Sequence, residues 1–381
     1  MERDDVKKIY LPYLDGLRGF GSLYVVFCHL FLMERCHGIE PIWHELSSRA
    51  FKFGTFAVAI FIVLSGYCLM LPVVRSRNGY IPGGLKSYFW RRGRRILPTY
   101  YAALIFCLLL SALILILKTL THFSWSTIFH DQFLTDFSYI DVLLHFLLIH
   151  NLTTGVVLYN INSPMWSIAL EWQIYFIFPL LLPLWRGWNC WVVMVVAFVI
   201  GLVPYYLIPN FMELSHPWFL SSFVLGMIAA DIGFSNKPYM IRLNKYLPWN
   251  VFLIIFSTLA VITSEISNVD RWIPEICFSI AAACLMIYST NYLMTENKLP
   301  ILLKTLQSPL ATTLGSFSYS LYLTHAPIIT LLRHLLIMLN LPVNIFGLVL
   351  YLTGTIVSIG FAYIFYLLFE RKFTLKNQVL S

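Results

Sequence analysis

The sequence predicts an all-α integral membrane protein, a bundle of about ten transmembrane helices with both termini in the cytoplasm. Three observations carry this. Of 381 residues only 12% are charged and 59% are apolar, whereas soluble domains run near 25% charged. The 30 Phe, 22 Tyr and 11 Trp, with a mean hydropathy of +0.75, exceed what a water-facing globule can bury. Apolar windows of roughly 20 residues, the length that crosses the hydrocarbon, recur between charges, prolines and asparagines. This composition excludes disorder, collagen-like repeats, a secreted disulfide scaffold and a nucleic-acid-binding domain, although the net charge is +8.

The first window, 11–33, carries Asp15 and Arg18, and no small-residue site closes a short apolar core, so it reads as a span and not a cleaved signal. The windows 51–73 and 96–118 follow, separated by a basic stretch. Segment 138–150 is apolar but short, which suits an interfacial or re-entrant position. Six more windows lie at 164–185, 189–208, 216–234, 248–265, 273–293 and 313–336, and the tenth covers 344–369 before Glu370-Arg371-Lys372. With no internal repeat or low-complexity tract, 1–381 reads as one transmembrane domain without an appended soluble domain. The seven cysteines, Cys28, Cys36, Cys68, Cys107, Cys190, Cys277 and Cys284, lack metal-type spacing and read as packing residues.

Basic residues choose the orientation. With the N-terminus inside, the outer side receives Arg35, Arg49, Lys52, Lys118, Arg271 and Arg333, and Arg18 lies within the first span. The remaining 19 of 26 Lys and Arg fall in cytoplasmic segments, as the positive-inside bias requires. Seven of these, Arg75, Arg77, Lys86, Arg91, Arg92, Arg94 and Arg95, sit between spans two and three. The longest external connection, 119–163, carries Asp131, Asp136 and Asp141, and Asn151-Leu152-Thr153 matches a glycosylation sequon there.

Titratable side chains inside a bilayer are costly, roughly 2.5–3.5 kcal/mol or more for Arg, Lys or Asp at mid-helix, so each calls for a reason. Arg18 and His29 are eleven residues apart, which puts them on one helical stripe about 16 Å apart along the axis. Each also has a structural reading: snorkelling for Arg18, and a carbonyl-bonded imidazole for His29. Glu171 lies roughly 12 Å below the external face, a depth at which it can approach His29. A packing role beside an arginine is its alternative. His325, in Ser318-Tyr319-Ser320-Leu321-Tyr322-Leu323-Thr324-His325, suits a structural hydrogen bond as well as a catalytic one. The run Trp90-Arg91-Arg92-Gly93-Arg94-Arg95 serves as a topology signal, but its planar guanidinium forks also suit a phosphate-bearing cytoplasmic ligand. The sequence holds no Gly-rich nucleotide loop, no metal-spaced His/Cys set and no serine nucleophile elbow.

These residues resemble the acyltransferase 3 family of multi-pass membrane O-acyltransferases along nearly the whole chain. Tyr13-Leu14-Asp15-Gly16-Leu17-Arg18-Gly19, followed after ten residues from Arg18 by His29, resembles the family's opening motif. Phe61-Ile62-Val63-Leu64-Ser65-Gly66-Tyr67 is similar to its second-span signature, and Arg92-Gly93-Arg94-Arg95-Ile96-Leu97-Pro98 to its paired-arginine motif. Trp166-Ser167 through Glu171, and Gly315 through Tyr319 to His325, complete five motifs in the family's order.

The resemblance implies an acyl-CoA donor, acetyl-CoA foremost, used as a substrate without a tightly bound cofactor. It implies an acceptor hydroxyl on a glycan, a lipid-linked sugar or a small molecule. On this reading Arg18, Arg92 and Arg95, flanked by Arg91 and Arg94, hold the donor's phosphates, and His29 is the general base. Glu171 stabilises the resulting imidazolium, and an acyl-His intermediate is the alternative route. A proton-coupled transporter or flippase using His29 and Glu171 as a relay explains the intramembrane charges equally well and the arginine cluster poorly. A purely structural membrane protein needs no such constellation. The expected location is the plasma or inner membrane.

Overall fold

The apolar windows fold as helices because, away from water, a backbone N–H or C=O finds its partner only within its own helix. In the computed structural model, residues 10–36, 38–76, 78–121, 125, 131–152, 160–208, 215–295 and 300–373 are described. Arg77 and Thr153 lie outside them. Among the described residues there is no strand, only isolated bridges Cys36–Ile39 and Phe133–Asn162.

Helix α1 spans Pro12–Met33, and a short α2, His44–Phe51, leads into α3, Gly54–Val74. Helix α4, Gly84–Leu120, runs 37 residues and begins twelve before the predicted window, so the arginine run lies on a helix and not in a loop. Hydropathy marks only the part of a helix in hydrocarbon, while arginine is itself a good helix former. Segment 138–150 gives α5, Tyr139–Phe146, and a 3₁₀ turn, His150–Leu152. Eight residues extend about 12 Å, too short to cross. Ser138 starts α5 with a reciprocal capping box to Asp141.

Helices α6 (Met165–Gly187) and α7 (Cys190–Leu207) follow, then α8 (Phe219–Phe234) and α9 (Pro238–Tyr246), which meet at a 95° bend. Next come α10 (Trp249–Ser264), α11 (Trp272–Thr295) and the short α12 (Ile301–Leu306). The ninth predicted window is broken into α13 (Pro309–Ser316) and α14 (Ser318–Ile337), and α15 (Val343–Phe365) ends in a π turn, Tyr366–Glu370. Among the described residues, eight helices can cross a membrane by length and composition, nine with the bent α8–α9 pair, and the 16-residue α10 occupies the remaining predicted window.

The chain forms two compact units, neither continuous in sequence: Met1–Arg18 with Thr55–Trp90 and Glu171–Gly315, and Gly19–Gly54 with Arg91–Leu170 and Ser316–Ser381. In the first, α8 is buried almost throughout and packs against α7, α9 and α11. Gly66 of α3 and Gly226 of α8 let these backbones touch: a Cβ on either would strike the facing helix's carbonyls. In the second, α14 packs along α15. A buried ion pair between Arg333 and Asp131, 2.8 Å, ties the connection between α4 and α6 to α14.

Intrahelical prolines leave a carbonyl four residues earlier without its N–H donor. Two of these carbonyls are recaptured by side chains. Pro179 frees Tyr175 O, which accepts from Tyr88 Oη at 2.9 Å in the first unit. Pro327 frees Leu323 O, which accepts from Asn162 Nδ2 at 2.8 Å in the second.

Candidate functional site

In the second unit, His29 of α1 meets His325 of α14: His29 Nδ1 lies 2.8 Å from His325 Nε2, with ring centroids 4.8 Å apart. His325 is fully buried and its Nδ1 donates to Leu321 O at 2.9 Å, while His29 keeps some exposure. The Asn162 amide that caps Leu323 O holds α14 two residues before His325. Asn162 is itself placed by the Phe133 bridge and by Ser163 N–H donating to Gln132 O, 2.9 Å. Ser167 Oγ donates to Pro164 O at 3.2 Å, which leaves Tyr322 Oη to donate to Ser167 Oγ at 2.6 Å. The Tyr322 ring stands 6.1 Å from that of His325, and Trp166 is buried.

In the first unit, Arg18 donates to Asp15 Oδ1 at 3.0 Å and to Cys68 Sγ at 3.3 Å. This is a held, part-buried guanidinium, so the snorkelling reading does not describe its contacts. Glu171 accepts short hydrogen bonds from Ser65 Oγ and, one turn along α6, from Tyr175 Oη. Ser65 is thereby a partner of the carboxylate, whereas Gly66 serves helix packing. The same unit holds a cavity of about 590 Å³ lined by Trp185, Arg186, Asp231, Lys237 and Tyr239 among others. Asp231, buried at its wall, accepts from Trp185 Nε1 and Lys237 Nζ.

Arg91, Arg92, Arg94 and Arg95 project from one continuous helix, α4. At the next residue, Ile96 O accepts from Tyr319 Oη of α14 at 3.2 Å. Buried Glu370 accepts from the backbone N–H and hydroxyl of Ser320, 3.1 and 2.5 Å. Sequence reasoning gave no role to Glu370, Tyr175, Tyr322 or Asn162, and read Cys68 as packing, where its sulfur accepts from Arg18. For Tyr88 and Asn162 a signal existed in Pro179 and Pro327, each announcing an open carbonyl, but the donor's identity is a tertiary fact. Outside the spans, His145 and His150 stack at 3.8 Å. Burial lowers both imidazole pKa values, and that of His150 well below its usual value with His145 as the second cause.

Apolar helices long enough to cross a membrane, carrying a hydrogen-bonded histidine pair and a hydroxyl-bound carboxylate, define a multi-pass membrane protein. The chain belongs to the acyltransferase 3 family, whose acyltransferase domain matches residues 11–367. It is similar to the peptidoglycan O-acetyltransferase OatA of Listeria monocytogenes, 23% identical over 84% of this chain and 50% of that protein. It is also similar to the O-acetyltransferase OatA of Staphylococcus aureus, 23% identical over 96% of this chain and 59% of that protein. The chain thus spans between half and three-fifths of the length of these relatives. No solved structure matches it.

Proposed function

We propose that this protein is a membrane O-acetyltransferase of the plasma or inner membrane. It moves an acetyl group from cytoplasmic acetyl-CoA to a hydroxyl of a glycan, with peptidoglycan the first acceptor to test. Family membership and the relatives' names support the reaction class. The single observation that carries the mechanism is the His29–His325 hydrogen bond, because a paired imidazole inside an apolar span is a proton-handling group.

His29 takes the acceptor hydroxyl's proton as that oxygen bonds to the thioester carbonyl carbon. The tetrahedral adduct collapses, the C–S bond breaks, and the CoA thiolate recovers the proton from the imidazolium. Ester and thiol are the products, and no further reactant is needed. The arginines of α4 hold donor phosphates through paired N–H forks. Arg18, held by Asp15 and Cys68, contributes positive charge toward the same donor. Glu171, held by Ser65 and Tyr175, supplies the negative charge that favours the cationic transition state.

The test is purified protein in liposomes with labelled acetyl-CoA and peptidoglycan fragments. Wild type forms labelled ester, and His29→Ala folds and inserts but forms none. Near wild-type turnover by that variant at saturating substrates refutes His29 as base, and acceptor-independent solute flux without ester would make the protein a transporter.

A further inference from the structure

We propose that His325 is a positioning residue that fixes His29 in its Nδ1–H tautomer and so makes Nε2 the basic nitrogen. The inference rests on the reading of His29 as base only for its catalytic consequence; the proton wiring stands on geometry alone.

The wiring starts from a carbonyl, which can only accept. Leu321 O lies 2.9 Å from His325 Nδ1, so that nitrogen carries a proton. The assignment of the ring nitrogens follows from helix geometry, since Nδ1 is the atom next to Cγ and the one within reach of the carbonyl four residues back. His145 makes the same bond to Asp141 O at 2.7 Å, and His334 to Thr330 O at 2.9 Å. With Nδ1 protonated, a neutral His325 has one lone pair, on Nε2, and that atom faces His29 Nδ1 at 2.8 Å. His29 Nδ1 must then be the donor, and a neutral His29 keeps its own lone pair on Nε2.

The opposite wiring, with His325 Nε2 donating, requires a doubly protonated His325. That ring is fully buried, and among the described residues no carboxylate hydrogen-bonds to either histidine. Burial of such an unpaired cation opposes this state. Unlike His325, His145 and His334, His29 turns its Nδ1 to another helix instead of its own backbone. Its tautomer is therefore set from outside. The Nδ1–H form is the minority tautomer of a free histidine side chain, so without an acceptor at this point the base would carry its proton on the nitrogen assigned to the chemistry. The anchor is held firmly, with Thr324 Oγ1 donating to Ser320 O at 2.8 Å and Asn162 capping Leu323 O. After proton uptake at Nε2, the His29–His325 bond becomes charge-assisted and stronger.

The experiment uses full-length protein in nanodiscs with ¹⁵N-labelled histidine, the His29 signals being identified by their loss in His29→Gln. In wild type the nitrogen shifts report Nδ1–H and an unprotonated Nε2 for His29. In His325→Leu they move toward Nε2–H, and acetyl transfer falls by about 10²–10⁴-fold, the range of general-base catalysis, with the donor KM little changed. His325→Gln, whose amide oxygen can reach the place of Nε2, restores both tautomer and rate, while the shorter His325→Asn restores neither. Unchanged His29 shifts in His325→Leu overturn the inference. If His325→Leu does not fold, equal shifts in the Gln and Asn variants overturn it. A tautomer change with undiminished transfer upholds the wiring and refutes His29 as the base.

Discussion

Asn162 completes a helix that its own sequence leaves open. Pro327 removes the N–H that would bond Leu323 O, and the Asn162 amide replaces it at 2.8 Å, both residues being buried in the second unit. Asn162→Ala leaves that carbonyl without its donor, a loss of about 1–3 kcal/mol for a buried group. Polar contacts between transmembrane helices average nearer about 0.6 and reach about 1.7 kcal/mol, so the expected destabilisation is about 1–2 kcal/mol. Pro327→Ala returns a backbone donor to the same carbonyl. In the double variant the asparagine is no longer needed, and the two changes couple by about 0.6–1.7 kcal/mol. The assay is reversible unfolding in mixed micelles titrated with sodium dodecyl sulfate, read by tryptophan fluorescence in wild type, both single variants and the double. Effects additive to within about 0.5 kcal/mol, the usual behaviour of independent sites, would refute the claim that Asn162 substitutes for the missing N–H. Because His325 follows Leu323 by two residues, Asn162→Ala should also slow transfer, and Pro327→Ala should recover part of that rate.

Replacing Arg92 and Arg95 by Gln should weaken coenzyme A binding, read by calorimetry, by roughly tenfold or more, with Lys giving partial rescue because the planar fork is lost. Unchanged affinity would reduce the α4 arginines to a topology signal. Glu171→Gln keeps a hydrogen-bonding shape for Ser65 and Tyr175 but removes the charge; kcat should fall with the donor KM nearly constant, and wild-type kcat would assign the carboxylate to packing. Acid should destabilise the region around α5 through His145 and His150, whose folded pKa values lie below the ordinary 6.5, chiefly by burial. Their contribution is whole above pH 6.5 and is lost as pH falls toward the folded values, at up to about 1.4 kcal/mol per pH unit per imidazole. Melting temperatures of wild type and of His145→Asn/His150→Asn between pH 7.5 and 5 check this, and parallel curves would contradict it.

The helices were legible in the sequence because hydrocarbon length is a local constraint: a run of apolar residues either spans or does not. The same locality located Arg18, His29, Glu171 and His325, since a polar side chain in such a run stands out without any knowledge of its neighbours. Hydropathy could not show that α4 begins at Gly84, because its first turns are stabilised by backbone bonds that carry no apolar signal. Nor could it show the break at Phe317 within the ninth window. Partners are a different matter. His29 was expected to answer to Glu171, and what its own unit provides is His325, 296 positions away in sequence. Glu171 in turn takes its hydrogen bonds from Ser65, 106 positions away, and from Tyr175 on its own helix. Helix order and rotation decide such pairings, and both arise from packing between distant segments, as where Gly66 and Gly226 bring two backbones together. The sequence by itself determined which residues are expensive; only the tertiary structure decided which other residues share the cost of burying them.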